Sequence, residues 1–407
     1  MKRDTILIIE YTTAGGLVEG RDRAADISIE GFAMVKALVT DAIAGNFDVH
    51  LVLQESMDYK TVLAGMSVTV HPIMDSDDLK IKFEEIAPEM DYCFLVAPEF
   101  DHILLDLTRF LESLNCHLLS QPSIAILDAS DKKRSLDRLV TGGVHVPRSQ
   151  AIDEFLQSPA FPYPVVVKPV HGAGSIGVYK AQTSGDLKAA MSVDALLKLP
   201  EEELLVQEFI VGEQLSASVI ATKDACCLLG INEQRVLLQS PSKNPSKYTG
   251  GVVGPIHPEL RETCTSIATA IAGIFSLDGY FGFDFILDEH GEVVVVEINP
   301  RLTTSFVGLK KLYETSILRF VANSSGVSNC EELVLRGTGF ASYKIVERSG
   351  IPDDDAWSGI VQQVDGEHDV VMMAKNDQVT SFFITGIGLT RQEALDTMQE
   401  FVDKLSS

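Results

Sequence analysis

Asp284, Glu297 and Asn299 lie in the stretch Gly282-Phe-Asp-Phe-Ile-Leu-Asp-Glu-His-Gly-Glu-Val-Val-Val-Val-Glu-Ile-Asn-Pro-Arg301, whose apolar runs on either side of residues 288–291 predict a β-hairpin. With the turn there, Leu287 sits opposite Glu292 and Asp284 opposite Val295, diagonal to Glu297. Asn299 shares the face of Glu297, because side chains alternate along a strand. Diagonal neighbours are about 7–8 Å apart, a gap that cations can bridge. Two carboxylates on one face repel unless something positive lies between them. Hard oxygen donors of this kind suit Mg2+ (or Mn2+), which keeps waters and takes other ligands from nucleotide phosphates. The same spacing is equally compatible with a solvated face on which the two acids have unrelated partners.

A second group is Val165-Val-Val-Lys168-Pro-Val-His-Gly172-Ala-Gly174-Ser175-Ile-Gly177-Val-Tyr-Lys180, which spells GxGxxG. A dinucleotide-binding turn needs a helix after its glycines and an acid about 20 residues on. Here strand-forming Val-Tyr follows at once, so the pattern predicts strand, glycine loop and strand. That is a flap of the type with which protein kinases cover ATP phosphates. Lys168 on the entering strand would point at the same phosphates, since a buried lysine without an anion is costly. A plain hairpin with an exposed lysine is the alternative. Ser130-Asp131-Lys132-Lys133-Arg134 opens a predicted helix with cations where the helix dipole favours acids. A bound anion would explain that cost, although Lys132 taken alone also fits a solvated helix start. Gln207-Glu208-Phe209-Ile210-Val-Gly212-Glu213 links two predicted strands. It fits either a linker presenting backbone groups to an adenine edge, with an acid beyond for ribose, or a bland edge connection.

The elements that must position these groups fall into sections. Short apolar strands at 5–9, 49–53, 68–70 and 92–96 alternate with helices such as 29–44, which predicts a parallel α/β layer. Ligands of such sheets gather at the carboxyl ends of the strands, here Glu10-Tyr11-Thr12-Thr13 and Pro98-Glu99. From Pro147 on, strands at 165–170, 177–180, 204–209, 215–221, 281–287 and 293–298 predict α+β structure with antiparallel sheets. Residues 239–256 are rich in turn formers and predict a mobile loop over a site. Strands at 360–364, 370–374 and 379–387 and a helix at 390–405 make the tail a small mixed unit. The expected divisions are 1–125, 126–195, 196–320 and 321–407.

A chain of 407 residues with 45% hydrophobic and 22% charged residues has the composition of a multi-domain globular protein. Its formal net charge of −25 argues against a broad basic surface for nucleic acid or anionic membrane, so any phosphate site must be local. The six cysteines show no CxxC or zinc spacing and are expected as buried, reduced thiols. The apolar run after Met1–Arg3 is too short for a signal peptide and no stretch approaches a membrane span, so the expected location is cytoplasmic.

In order, Asp131-Lys132, Lys168 with its glycine flap, Gln207–Glu213, Asp284 and Glu297-Ile-Asn299-Pro-Arg301 resemble the signature of the ATP-grasp superfamily over residues 125–310. The resemblance implies an ATP-grasp fold with an N-terminal parallel α/β domain and a small C-terminal β-rich domain. It also implies a carboxylate–amine ligase that works through an acyl phosphate. Lys132 and Lys168 would hold the ATP phosphates, and Gly172, Gly174, Ser175 and Gly177 would close over them. Gln207 and the backbone of Glu208, Phe209 and Ile210 would meet adenine. Family members often place the ribose acid where Gln214 stands, so Glu213 would serve instead. Asp284, Glu297 and Asn299 would bind two Mg2+ ions, and Arg301, with Lys168, would act on the reacting groups. Glu10 is expected to seat the amine, and Arg235, Tyr248 and Thr249, which flank the loop at 239–256, to touch substrate. Ile9-Glu10-Tyr11, Ala97-Pro98-Glu99 and Leu302-Thr303-Thr304 resemble, within the superfamily, ligases that join glutamate to tyramine or a tyrosine-like amine in methanofuran-type cofactor biosynthesis. Partners would then be small-molecule acid and amine, with no nucleic acid and no membrane, and a homodimer is compatible. Ligation of another amino-acid pair, a carboxylase, and an ATP-binding regulatory module without turnover stand as alternatives.

Overall fold

The computed structural model describes residues 2–16, 24–57, 62–193, 196, 199–222, 225–241, 246–323, 330–337, 339–349, 368–376 and 379–406. Three sheets organise them. The first is parallel, in the order β3-β2-β1-β4, with β1 Thr5–Glu10, β2 Asp48–Gln54, β3 Val68–Ile73 and β4 Tyr92–Val96. Both faces are covered, as parallel sheets require. Ile6 and Ile8 pack with helix Ala24–Ala44, while Leu7 and Ile9 pack with helices Leu79–Ile86 and Ile103–Ser113. Alternation along β1 thus divides one apolar strand between two cores.

The second sheet is antiparallel, β5-β8-β6-β7, built from β5 Ser149–Ala151, β6 Val165–Pro169, β7 Tyr179–Ala181 and β8 Leu204–Glu208. Helices Ile152–Gln157 and Ser184–Met191 share its core. The third sheet has eight strands: β9 Gly212–Ala221, β10 Cys226–Leu237, β11 Lys247–Gly254, β12 Gly279–Asp288, β13 Val293–Asn299, β14 Phe340–Ser349, β15 His368–Asn376 and β16 Val379–Gly388. Their order is β13-β12-β9-β10-β11-β14-β16-β15, so the strands of the tail extend this sheet and close none of their own. The architecture is thus a parallel sheet at the N-terminus with two antiparallel sheets after it.

Three expectations are corrected. The segment at 239–256 is not a loop throughout. Residues 242–245 lie outside the described residues, but Lys247–Gly254 form β11, paired to β10 on one side and β14 on the other. Its glycines serve close packing, since a Cβ at Gly250 would lie 2.1 Å from the carbonyl oxygen of Tyr343. The cysteines are not all thiols: Cys227 and Cys330 are disulfide-bonded, 103 residues apart, with Cα atoms 5.4 Å from each other. Cys93 and Cys264 are buried thiols, and Cys116 and Cys226 half-buried ones. The hairpin register differs as well, as set out below. The strand expected at 360–364 lies outside the described residues. Among the described residues no helix is long and apolar enough to cross a membrane.

Candidate active site

The hairpin β12–β13 pairs Leu287 with Val293 and Phe285 with Val295, one residue away from the register expected from the turn. Continued regularly, that register would set Asp284 against Val296 and turn Glu297 toward the core. A bulge intervenes between Asp284 and Phe285, after which Asp284 pairs with Glu297 and Gly282 with Asn299. Val296 is the extra residue. The bulge lets Val293, Val295, Phe283 and Phe285 fill one core while Asp284, Glu297 and Asn299 face the opposite side together. It also leaves the Val296 carbonyl outside the ladder, where it accepts a hydrogen bond of 3.1 Å from Lys168 Nζ.

That opposite face is the floor of a deep cleft also lined by Lys132, Lys168, Gly172, Gly174, Ser175, Arg301 and residues 207–210. Lys132, at the start of helix Lys132–Thr141, donates 2.9 Å to the Gly172 carbonyl and lies 3.1 Å from Glu297 Oε1. Both lysines are buried, at 6% and 4% exposure. Burial pushes the Lys168 ammonium down to about 8, against the pull of Glu297 and Asp284 and with the push of Lys132. Burial and the neighbouring Glu297 raise the Asp284 carboxyl well above the usual range, while hydrogen bonds from Gln234 and Asn299 and the charge of Arg301 oppose the rise. Gln234 Nε2 donates 2.8 Å to Asp284 Oδ1. A carboxyl that resists ionising here marks a deficit of positive charge. The donor set fits a hard divalent cation: two carboxylates and an amide supply oxygens, leaving positions for waters and phosphate oxygens. Among the described residues no three or more His, Cys, Asp or Glu side chains are placed to hold a metal ion together, so this set does not form a closed protein cage of the zinc type.

Residues 129–305 match the family model for the ATP-grasp domain, and residues 51–126 that for the pre ATP-grasp 3 domain. The chain belongs to the ATP-grasp family. It is 27% identical over 339 residues to a tyramine--L-glutamate ligase of Methanocaldococcus fervens, covering 82% of this chain and 97% of that protein. A second tyramine--L-glutamate ligase, from Methanocaldococcus jannaschii, is 26% identical over 75% of this chain and 84% of that one. The solved L-amino acid ligase of Bacillus licheniformis superposes with a TM-score of 0.67 at 17% identity, covering 99% and 98% of the two chains, a likeness of fold. As a member of this family the chain is an ATP-dependent, ADP-forming carboxylate–amine ligase.

The ATP-grasp cleft gathers most of the residues singled out from sequence, but not all. Gly174 and Ser175 adopt positive φ (62° and 61°) at the crest of the flap. Gly177 does not line the cleft; it packs at the base of the flap, where a Cβ would lie 2.8 Å from Leu196 Cδ2. Glu213 is a correction. It points out of the cleft and pairs with His257 at 2.9 Å, while its neighbour Gln214 lines the cleft and accepts from the Val236 N–H. Successive strand residues face opposite ways, so the single-residue choice was decisive. Arg235 and Thr249 are also absent from the lining: Thr249 Oγ1 donates to the Arg235 carbonyl, and Gln234 and Val236 take the cleft side. Tyr248 does line it, its hydroxyl donating 2.8 Å to that of Tyr343. Glu208 ends β8 and lines the cleft, but its carboxylate is engaged by Arg148 at 2.6 and 2.9 Å. Arg301 lines the cleft and is held by Glu99, Nε to Oε1 at 2.8 Å.

Glu10 lines the cleft from the carboxyl end of β1. Only 2% exposed, it accepts from Thr12 Oγ1 and the Thr13 N–H at 2.8 Å each and from the Thr12 N–H at 3.2 Å. Burial nonetheless raises its pKa. Sequence reasoning missed Glu30, Tyr343, Gln234 and the hydroxyls of Thr303, Thr304 and Ser305, all in the lining. For Glu30 a signal existed: Ile27, Glu30 and Met34 are spaced to share one helical face, an acid within an apolar stripe. Gly31 beside it is where Glu10 lodges, since a Cβ there would lie 2.4 Å from Glu10 Oε2 and 2.5 Å from Thr12 Oγ1. Alanine in a helix normally gains about 1 kcal/mol over glycine. Overpacking costs about 1–3 kcal/mol, so the clash wins and Gly31→Ala is expected to lower the melting temperature. A thermal melt reads this, and an unchanged or raised value would show that Glu10 can move aside.

Proposed function

We propose that this ligase joins the carboxylate of glutamate to the amine of tyramine, or of a closely related tyrosine-like amine, as in methanofuran-type cofactor assembly. The observation that carries the reading is a single cleft with two kinds of lining. Lysines, a glycine flap and the Asp284, Glu297 and Asn299 oxygens share it with a buried Glu10, with Glu30 and with the hydrogen-bonded Tyr248–Tyr343 pair. The two Methanocaldococcus relatives, both tyramine--L-glutamate ligases, suggest the substrates.

Lys132 and Lys168 would take the ATP phosphates, with Gly172, Gly174 and Ser175 closing backbone N–H groups over them. Gln207 and the backbone of 208–210 would receive adenine, and Gln214 rather than Glu213 would lie beside ribose. Asp284, Glu297 and Asn299 would hold two Mg2+ or Mn2+ ions, whose charge offsets that of the transferring phosphoryl group. Lys132, Lys168 and Arg301 are balanced within the cleft by Asp284, Glu297 and Glu99, so a triphosphate has to arrive with its own cations. A glutamate carboxylate oxygen attacks the γ-phosphorus and the bond to the β-phosphate oxygen breaks, releasing ADP. Arg301, aimed by Glu99, would steady the acyl phosphate. The neutral amine then attacks the acyl carbon, phosphate departs and the amine loses a proton, leaving the amide. Glu10 and Glu30 would seat the arriving amine in its ammonium form, since buried carboxylates take a cationic partner, before it gives up a proton and attacks.

The test is ADP release with glutamate and tyramine, each omitted in turn and each replaced across a panel of other acids and amines. Release that needs both supports the reading; equal or faster release with another pair refutes the substrate assignment and leaves the ligase class standing. Glu10→Gln is expected to raise KM for the amine about tenfold and to leave KM for ATP unchanged. An unaltered amine KM would remove Glu10 from the subsite.

A further inference from the structure

Several hydroxyl groups that line the cleft spend their protons on neighbouring side chains. Thr12 Oγ1 donates 2.8 Å to Glu10 Oε2, Thr304 Oγ1 donates 2.6 Å to Glu30 Oε2, and the Tyr248 hydroxyl donates 2.8 Å to that of Tyr343. Each donating oxygen keeps lone pairs and has no proton left to offer. Together with the carboxylates of Glu10 and Glu30, which also line the cleft, these side chains can accept hydrogen bonds from a ligand and give it none. A group that matches such a set carries donors only, as an ammonium does.

Tyr248 is the member whose orientation is set from the tail of the chain. Its acceptor, Tyr343, stands on β14, beyond the residues 129–305 that match the ATP-grasp domain. Tyr343 is fully buried and Tyr248 half-buried, so of the two only Tyr248 presents surface to a ligand. The ring of Tyr343 is held in place across β11. Gly251 pairs with Tyr343 in the ladder, and a Cβ there would lie 2.8 Å from the Tyr343 hydroxyl oxygen. Phe383 of β16 stacks on the same ring, with 5.6 Å between centroids and 10° between planes. The position of the Tyr343 oxygen therefore fixes where the Tyr248 proton points. Burial, and then the neighbouring Tyr343, Glu30 and Asp284, push the Tyr248 phenol well above its usual range, so it keeps the proton that it donates.

We infer that Tyr343 is a positioning residue for the amine substrate, which by accepting the Tyr248 proton leaves a Tyr248 lone pair turned toward the arriving ammonium. The inference rests on the reading above, in which Glu10 and Glu30 seat that ammonium, and adds to it a residue of the tail. Without the Tyr343 oxygen the Tyr248 hydroxyl is free to rotate and point its proton into the cleft, against a group that has only protons to offer.

Steady-state kinetics of the full chain, with the amine that supports the fastest ADP release, test this in Tyr343→Phe, Tyr248→Phe and the double variant. Tyr343→Phe is expected to raise KM for the amine about tenfold and to leave KM for ATP unchanged. Its melting temperature should stay close to that of the parent, because the half-buried Tyr248 hydroxyl can turn to water. Tyr248→Phe is expected to raise the amine KM likewise, and the double variant to be no worse than Tyr248→Phe alone, the non-additivity of one residue acting through another. Penalties that add in the double variant, an amine KM indifferent to Tyr343→Phe, an equal rise in KM for ATP or a collapse of the melting temperature would each overturn the inference. A parent that releases ADP at full rate with no amine present would overturn the underlying reading too, and the parent alone reveals that outcome.

Discussion

Glu297→Gln is expected to lower kcat by about two to three orders of magnitude, and Asp284→Asn to do the same. Asp284→Asn should melt at or above the temperature of the parent, whereas Glu297→Gln, which takes the ion-pair partner from buried Lys132, should melt below it. Asp284 and Glu297 face each other directly across the hairpin, and burial and their mutual repulsion hold the Asp284 carboxyl well above its usual range. An amide at either position ends that repulsion, and asparagine retains an oxygen to accept from Gln234 Nε2. Without nucleotide Asp284 therefore burdens the fold, whereas Glu297 is offset by Lys132. With it, they would be the groups that hold the divalent cations. Turnover and melting temperature measured on the same preparations check this, with ATP and Mg2+ added to the melts. The parent should gain thermal stability from the pair, as any ligand of the native state confers it, and the variants should gain much less. Variants that melt lower and turn over normally would assign the two acids a structural role.

How much of this was legible in the sequence depends on which physical signal each feature leaves. The alternation of 5–9, 49–53, 68–70 and 92–96 with helices foretold the parallel sheet, since short apolar strands buried on both faces leave little else to choose. The glycine flap was recognisable because a strand, and not a helix, follows Gly177. The face shared by Asp284, Glu297 and Asn299 was reached, but through the wrong register. A regular hairpin turning one residue earlier gives the same grouping that a bulge at Val296 produces, with the difference that Val295 belongs to the core. No residue type announces such a bulge. Glu213 and Gln214 differ by one position and one face, a distinction that only the placement of β9 decides. β11 was hidden because Gly250, Gly251 and Gly254 read as turn formers, whereas they let β10 and β14 approach on both sides. The disulfide joins residues 103 apart, a tertiary contact for which the cysteine spacing carries no sign.

Lys168→Met should raise KM for ATP about tenfold or more and lower kcat/KM by about two to three orders of magnitude, with little change in the stability of the nucleotide-free protein. Lys168 ties the second sheet to the third, because it stands on β6 and donates across to the Val296 carbonyl that the bulge releases from the ladder. Removing the ammonium leaves that buried carbonyl without its donor, at a cost of about 1–3 kcal/mol. Removing it also ends the burial of a charge unfavourable enough to bring the lysine down to about 8. One pKa unit is about 1.4 kcal/mol, so the two terms are of similar size and opposite sign, and methionine keeps the length and apolar stem of the side chain. A triphosphate changes that balance, since the anion is what repays a buried ammonium. The loss is therefore expected in ATP binding and transfer, and Lys168→Arg, whose wider fork must enter the same narrow gap between β6 and β13, should not restore it. Steady-state kinetics beside a thermal melt separates the outcomes: a large fall in melting temperature with an unchanged KM for ATP would make Lys168 a clamp between sheets and would take it out of the phosphate site.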